Sequence, residues 1–223
     1  MRIFLVRHGE SMQNIKQSDN IADHRVPLTD LGKWQAEKAA MALRNYLLDH
    51  NIYFSPGDTR VWVSPYMRTK QTCECFDKVL GFTDNCIEVL EDIALVEQQF
   101  AVFDSSWNVN RKESYPIETE YIKQLRKQSG KFWVRYPLGE SPFDVACRVK
   151  NHIGTIYRDW EKHHIENVVL FTHGVTLRAY LMQYMHYTVD WYEKEHNPEN
   201  CWIRYIEDIT DAVDKGYIYK GED

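Results

Sequence analysis

The sequence predicts a three-layer α/β domain, a central and mostly parallel sheet flanked by helices, with an inserted cap segment. Three observations predict it. Apolar runs at residues 3–6, 61–63 and 168–171 are short and lack polar alternation, as strands buried on both faces do. Stretches with helical spacing of apolar residues alternate with them, which is how a parallel sheet is built. The 223 residues suit one large domain, or a core with a substantial insertion, better than two independent domains.

The elements follow in order. Residues 3–6 form the first strand. Residues 29–50 read as a helix, with Thr29 or Asp30 as cap and Pro27 just before it. Leu31, Trp34, the stem of Lys38, Met41 and Leu48 lie near one side of that helix, widened by Leu43, Tyr46 and Leu47. The turn cluster Ser55-Pro56-Gly57-Asp58 precedes a second strand at 61–63. A helix is expected over 65–80, proline being tolerated in its first turn, and a short third strand over 87–90. The polar and aromatic stretch that follows, with Trp107, Tyr115, Trp133 and Tyr136 among charges, breaks this rhythm. It reads as a cap insertion over roughly 98–143, helical around 118–127 and closing at the Pro137-Leu138-Gly139 turn, within a single domain spanning 1–223. Val145, Val149, Ile153, Ile156 and Trp160 mark a helix over 144–163, then come a buried strand at 168–171, a helix over 175–185 and an edge strand around 202–206.

Acidic residues outnumber basic ones by 33 to 27, giving a net charge of −6, so composition argues against a nucleic-acid binder with a broad basic face. It leaves room for local positive charge at a small anion site. The five cysteines (Cys73, Cys75, Cys86, Cys147 and Cys201) are irregularly spaced and form no CxxC pair, which speaks against structural zinc and for reduced thiols. The opening apolar run is stopped by Arg7 after four residues, too short for a signal peptide or a membrane span. The expectation is a cytoplasmic protein that engages neither membrane nor nucleic acid.

Open α/β sheets bind ligands beyond the carboxyl ends of their strands. The first strand runs into Arg7-His8-Gly9-Glu10, the second into Ser64-Pro65-Tyr66-Met67-Arg68-Thr69, and the late strand into Thr172-His173-Gly174. Glycine after each histidine lets backbone N–H groups approach an anion. Two histidines and two arginines at strand ends make a site for a phosphoryl group.

These segments, with Ser11 and Asn14, Pro27-Leu28-Thr29-Asp30-Leu31-Gly32 and Gln71-Thr72, stand in an order that resembles the histidine phosphatase superfamily, also called the phosphoglycerate-mutase-like family. The resemblance implies that His8 is a nucleophile forming a phosphohistidine. Arg7 and Arg68 would clamp the phosphoryl oxygens, Asn14 and Gly174 would contact phosphate, and His173 would donate a further hydrogen bond. No metal or cofactor is implied. The family also carries a glutamate general acid after the Arg68 motif; Glu97 fits the local pattern best, with Glu91 and Asp92 as competitors. Val96 stands where members often carry arginine or asparagine, and Ala101 where they often carry glycine.

Taken singly, each residue has a plainer reading. A buried histidine is commonly a packed one, and His163-His164 with Glu161 and Glu166 reads as a polar helix end rather than a metal site. Tyr66 suits a substrate lid or ordinary packing. The ordered set implies a metal-independent phosphomonoesterase acting on phosphorylated small molecules, and Tyr136-Pro137-Leu138-Gly139-Glu140-Ser141 resembles broad-specificity phosphatase members. The alternatives are a phosphoglycerate mutase using the same histidine, and a non-catalytic phospho-ligand binding or scaffold protein.

Overall fold

β1 (Arg2–Arg7) is buried on both faces: Ile3, Phe4, Leu5 and Val6 are all fully inaccessible to solvent. A computed structural model describes residues 1–18, 21–101 and 115–221. β4 (Asn167–Thr172) lies parallel to β1 and is buried throughout. Alternate side chains of both strands enter different cores. Ile3, Leu5, Val168 and Leu170 pack on one side of the sheet, whereas Phe4, Val6, Val169 and Phe171 pack on the other. That two-sided burial is why the apolar runs show no alternation.

The sheet has six strands among the described residues, in the order β3-β2-β4-β1-β5-β6. β2 (Thr59–Val63) and β3 (Glu88–Glu91) continue the parallel part, while β5 (Ile203–Glu207) and β6 (Val213–Tyr219) are antiparallel. The mostly parallel α/β architecture is therefore as expected, with one correction. The strand anticipated at the edge is β5, which lies inside between β1 and β6. The true edge, β6, is half-exposed and reads Val-Asp-Lys-Gly-Tyr-Ile-Tyr, the charged and glycine-interrupted pattern with which proteins protect an edge.

α1 (Asp30–Asp49) and α2 (Met67–Leu80) cover one face, where Ala36, Ala40, Leu43 and Phe76 join the core. Thr29 caps α1 by accepting a bond from the Gly32 N–H at 2.9 Å. The buried stripe of α1 is rotated from the expected one: it consists of Gly32, Ala36, Ala39, Ala40, Leu43 and Leu47. Leu31, Trp34, Met41 and Leu48 face outward, each more than 40% exposed. The physical reason is close approach. A Cβ on Gly32 would stand 2.0 Å from the Glu10 carbonyl oxygen, so only a small-residue face fits here.

α4 (Pro142–His163), opened by a reciprocal Ser141–Asp144 capping box, covers the other face with α5 (Gly174–Tyr184). A short helix, α6 (Val189–Lys194), follows α5. Between β3 and α4 the chain carries α3 (Pro116–Ser129), which packs Ile122 beside Val134, Phe100 and Tyr136 in a small core of its own. Residues 102–114 of the expected cap, Trp107 included, lie outside the described residues. Among the described residues no helix is long and apolar enough to cross a membrane.

Candidate active site

Three parallel strands end side by side, and their register sets the site. Arg7 pairs with Thr172 and Val63 with Phe171, so His8, His173 and Ser64 leave neighbouring strands at one level. The His8 and His173 ring centroids are 5.1 Å apart. The His8 backbone is fixed from both sides: its N–H donates to the Thr172 carbonyl at 3.0 Å, and its carbonyl accepts from Asn200 Nδ2 at 3.0 Å. Its ring Nδ1–H donates to the Gly9 carbonyl at 2.7 Å, which leaves the lone pair on Nε2. Burial, followed by the charges of Arg68 and Arg7, holds the His8 pKa well below 6.5, so the ring is neutral and nucleophilic at neutral pH.

His173 is fully buried, and its Nε2 lies 2.9 Å from Ser64 Oγ. Its Nδ1 has no protein partner. Burial, then Arg68, His8 and Arg7, keep this ring neutral as well. Arg68, in the first turn of α2, is 1% exposed; its Nη1 donates to the carbonyl and to Oδ1 of Asp23, each at 2.8 Å. Arg7 donates through Nη1 to the Pro198 carbonyl. The Nε of each arginine has no protein partner. Burial lowers the Arg7 pKa, with Glu97 opposing and Arg68 reinforcing the shift.

Asn14 Oδ1 accepts from the N–H and hydroxyl of Ser11 at 2.9 and 3.0 Å, an anchorage that orients its amide beside His8 on the cavity wall. Glu97 lines the same cavity as Arg7, His8 and Arg68. Its carboxylate accepts from the backbone N–H of Gln98 at 2.9 Å and of Val175, in the first turn of α5, at 3.4 Å. The loop that carries it is tied down by Thr172 and Thr176 hydroxyls donating to the Leu95 and Val96 carbonyls, and by Arg148, which reaches the Glu97 carbonyl at 3.1 Å. Of its competitors, Glu91 pairs with Lys70 at 2.5 Å and Asp92 caps the turn over Ile93–Leu95, and neither lines the cavity. Ala101 adopts φ +49°, in the left-handed region that favours glycine.

Gly9 has another use than the one expected. Gly9 N–H donates to Thr72 Oγ1 at 3.1 Å, and a Cβ on Gly9 would stand 2.3 Å from the Gly32 carbonyl oxygen. Its small size admits α1 rather than an anion. A Cβ on Gly174 would lie 3.4 Å from the Asn197 side chain and 3.6 Å from the Arg7 guanidinium carbon, ordinary contact distances that place Gly174 beside both groups. Tyr66 is packing: its ring lies under the Arg68 guanidinium at 4.9 Å and against His173 at 5.1 Å. Asp23, Ser64, Asn197 and Asn200 were not anticipated as site residues. Only Ser64 stood inside a motif; the others come from turns and a carboxyl-terminal segment without periodicity. Among the described residues no three His, Cys, Asp or Glu side chains converge as metal ligands, and His163 and His164 form an exposed helix end.

The cavity holds about 800 Å³. Beyond the groups above it is walled by Phe100, Ile122, Tyr136 and Val175, with Lys16, Lys123 and Arg126 farther out.

A sequence profile of the histidine phosphatase superfamily (branch 1) matches residues 3–211. The chain is 32% identical over 218 residues to the phosphoglycerate mutase-like protein AT74H of Arabidopsis thaliana, covering 92% of this chain and 73% of that protein. It is 24% identical to the broad-range acid phosphatase DET1 of Saccharomyces cerevisiae, covering 92% of this chain and 84% of the yeast one. Among solved structures, the alpha-ribazole phosphatase from Shigella flexneri superposes with a TM-score of 0.74 at 18% identity, over 99% of this chain and 97% of that one, a likeness of fold.

Proposed function

The chain belongs to the histidine phosphatase superfamily, and from that premise we propose that it is a metal-independent phosphomonoesterase acting on phosphorylated small molecules through a phosphohistidine at His8. One observation carries the reading. A buried imidazole with its Nδ1 proton fixed on the Gly9 carbonyl shares its pocket with two guanidinium groups, and its ring centre lies 5.1 Å from that of a second imidazole whose Nδ1 has no protein partner. Such a pocket has a nucleophile and fixed donors for the charge that a transferring phosphoryl group spreads over its oxygens.

The steps follow from the groups present. His8 Nε2 attacks phosphorus and the ester P–O bond breaks, while the Glu97 carboxyl gives its proton to the leaving oxygen. Water then attacks phosphorus, Glu97 takes the proton, and the P–N bond breaks to release phosphate and the neutral ring. Arg7, Arg68, Asn14 and His173 hold the phosphoryl oxygens throughout, with the backbone of Gly174 contacting phosphate beside Arg7.

The test is a quench of the purified protein turning over phenyl phosphate in excess chelator. The expected result is undiminished turnover, inhibition by vanadate, and acid-labile phosphate on His8 that His8→Ala abolishes. Substantial turnover by folded His8→Ala would overturn the mechanism. Isomerisation of phosphoglycerates that outpaces phosphate release would replace the hydrolase with a mutase.

A further inference from the structure

We propose that this cavity is built for phosphomonoesters whose leaving group has an apolar, ring-sized body and ends in a second anionic group, held by Lys16, Lys123 and Arg126. The proposal rests on the phosphomonoesterase reading above and names its substrate class.

The lining changes character with depth. At the bottom are the buried His8 and Arg68; the walls above are Phe100, Ile122, Tyr136 and Val175, buried or half-buried; and Lys16, Lys123 and Arg126 are exposed. α3 contributes to this order through one face, since Thr119, Ile122, Lys123 and Arg126 stand at i, i+3, i+4 and i+7. Arg126 Nη1 donates to the Tyr136 hydroxyl at 3.0 Å, which holds the guanidinium along the wall. The Lys123–Glu120 contact of 3.7 Å is an exposed pair that competes weakly for the ammonium group.

Charge makes the case sharper. The chain has a net charge of −6, yet its main cavity is lined by five Lys or Arg side chains against Asp23 and Glu97. Asp23 is bonded to Arg68. Arg7 and Arg68 suffice to hold one phosphoryl group, which leaves three outer cations with no role in the transfer itself. A volume of about 800 Å³ is also far more than a phosphoryl group fills.

Three aryl phosphates test the class: 3-(4-phosphonooxyphenyl)propanoate, its propanamide, and the analogue ending in a phosphonate. Two methylenes insulate the phenol, so leaving-group basicity is nearly constant. The carboxylate and phosphonate arms separate the two sources of a distal anion. The expected result is a kcat/KM for one or both anionic probes roughly tenfold above that of the amide, expressed in KM and shrinking as salt is raised. In Lys16→Gln/Lys123→Gln/Arg126→Gln the ratio of anionic to amide kcat/KM should fall to about one. Equal kcat/KM for all three probes in the wild type would overturn the distal site and leave the phosphomonoesterase reading standing. A preference that survives in the triple variant would also overturn it, because the anion would then be held elsewhere. Failure to hydrolyse any of the three would sink the phosphomonoesterase reading itself, and this proposal with it.

Discussion

Ser64→Ala isolates the contact that decides which nitrogen of His173 carries the proton. Ser64 Oγ accepts from the Tyr66 N–H at 3.5 Å, so its own proton points to His173 Nε2, 2.9 Å away. The ring, kept neutral by burial and neighbouring cations, then carries its proton on Nδ1, the nitrogen without a protein partner. That N–H is the donor left for a phosphoryl oxygen. Removing the hydroxyl has two effects. Both residues are fully buried, so leaving Nε2 unsatisfied should cost about 1–3 kcal/mol of stability. A fixed transition-state donor is worth about 10²–10³ in kcat when lost outright. Here only the bias toward one tautomer is lost, and a bias of about 1 kcal/mol corresponds to a roughly fivefold slower phosphorylation step. The assay is single-turnover transfer from phenyl phosphate, scaled to folded protein by a urea melt, with ¹⁵N spectra reporting the tautomer. The same substitution in a His173→Ala background should have no further kinetic effect. If it slows that background as much as the wild type, Ser64 does not act through His173 and the reasoning fails.

Three further outcomes are expected. Glu97→Gln should slow alkyl phosphates by about 10²–10⁴ and aryl phosphates far less, because phenolates leave without a proton; equal slowing of both, or a selective loss in Glu91→Gln instead, would remove Glu97 from the role. Burial pushes the pKa of His152 down to about 4, and those of His8 and His173 below 6.5. The unfolded chain therefore binds more protons than the folded one between about 6.5 and 4, and stability present above 6.5 should fall as pH drops through that window; urea midpoints that stay level from pH 7.5 to 4.5 would contradict it. Gly9→Ala must push α1 away from the His8 loop, with an expected loss of about 1–3 kcal/mol and impaired turnover, checked by melting and by activity per folded molecule; an unchanged melt with full turnover would contradict the close approach.

The fold was legible where burial is two-sided and obscure where it is not. Residues 3–6 and 168–171 announce buried strands because nothing polar can face either core. α1 misled for a specific reason. Leu31, Trp34, Met41 and Leu48 recur at helical spacing and dominate a count of periodicity, but a helix pressed against the Gly9–Glu10 backbone buries Gly32, Ala36, Ala39 and Ala40 with Leu43 and Leu47 instead. β6 was invisible because a good edge strand hides its strand character in charge.

The site divides along the same line. His8, Ser64, Arg68 and His173 follow strands whose register is set by the sheet, so adjacency in space follows once the strands are recognised. Asp23 and Asn197 reach the pocket, and Asn200 the His8 carbonyl, from a single short turn and from loop backbone, where no period relates sequence position to direction. They nonetheless orient or frame what the strands deliver: Asp23 aims Arg68, Asn200 fixes the His8 carbonyl, and Asn197 borders Gly174 next to Arg7. The outer cations were hidden for another reason. Lys123 and Arg126 look like any solvated helix face until α3 is seen to turn that face toward the cavity. The transfer chemistry thus sits on elements that cannot move without dismantling the sheet, whereas the selectivity proposed for the leaving group sits on a helix outside it. On the proposed function, substitutions on the cavity-facing side of α3 should therefore change which phosphate ester is preferred without touching the His8 chemistry.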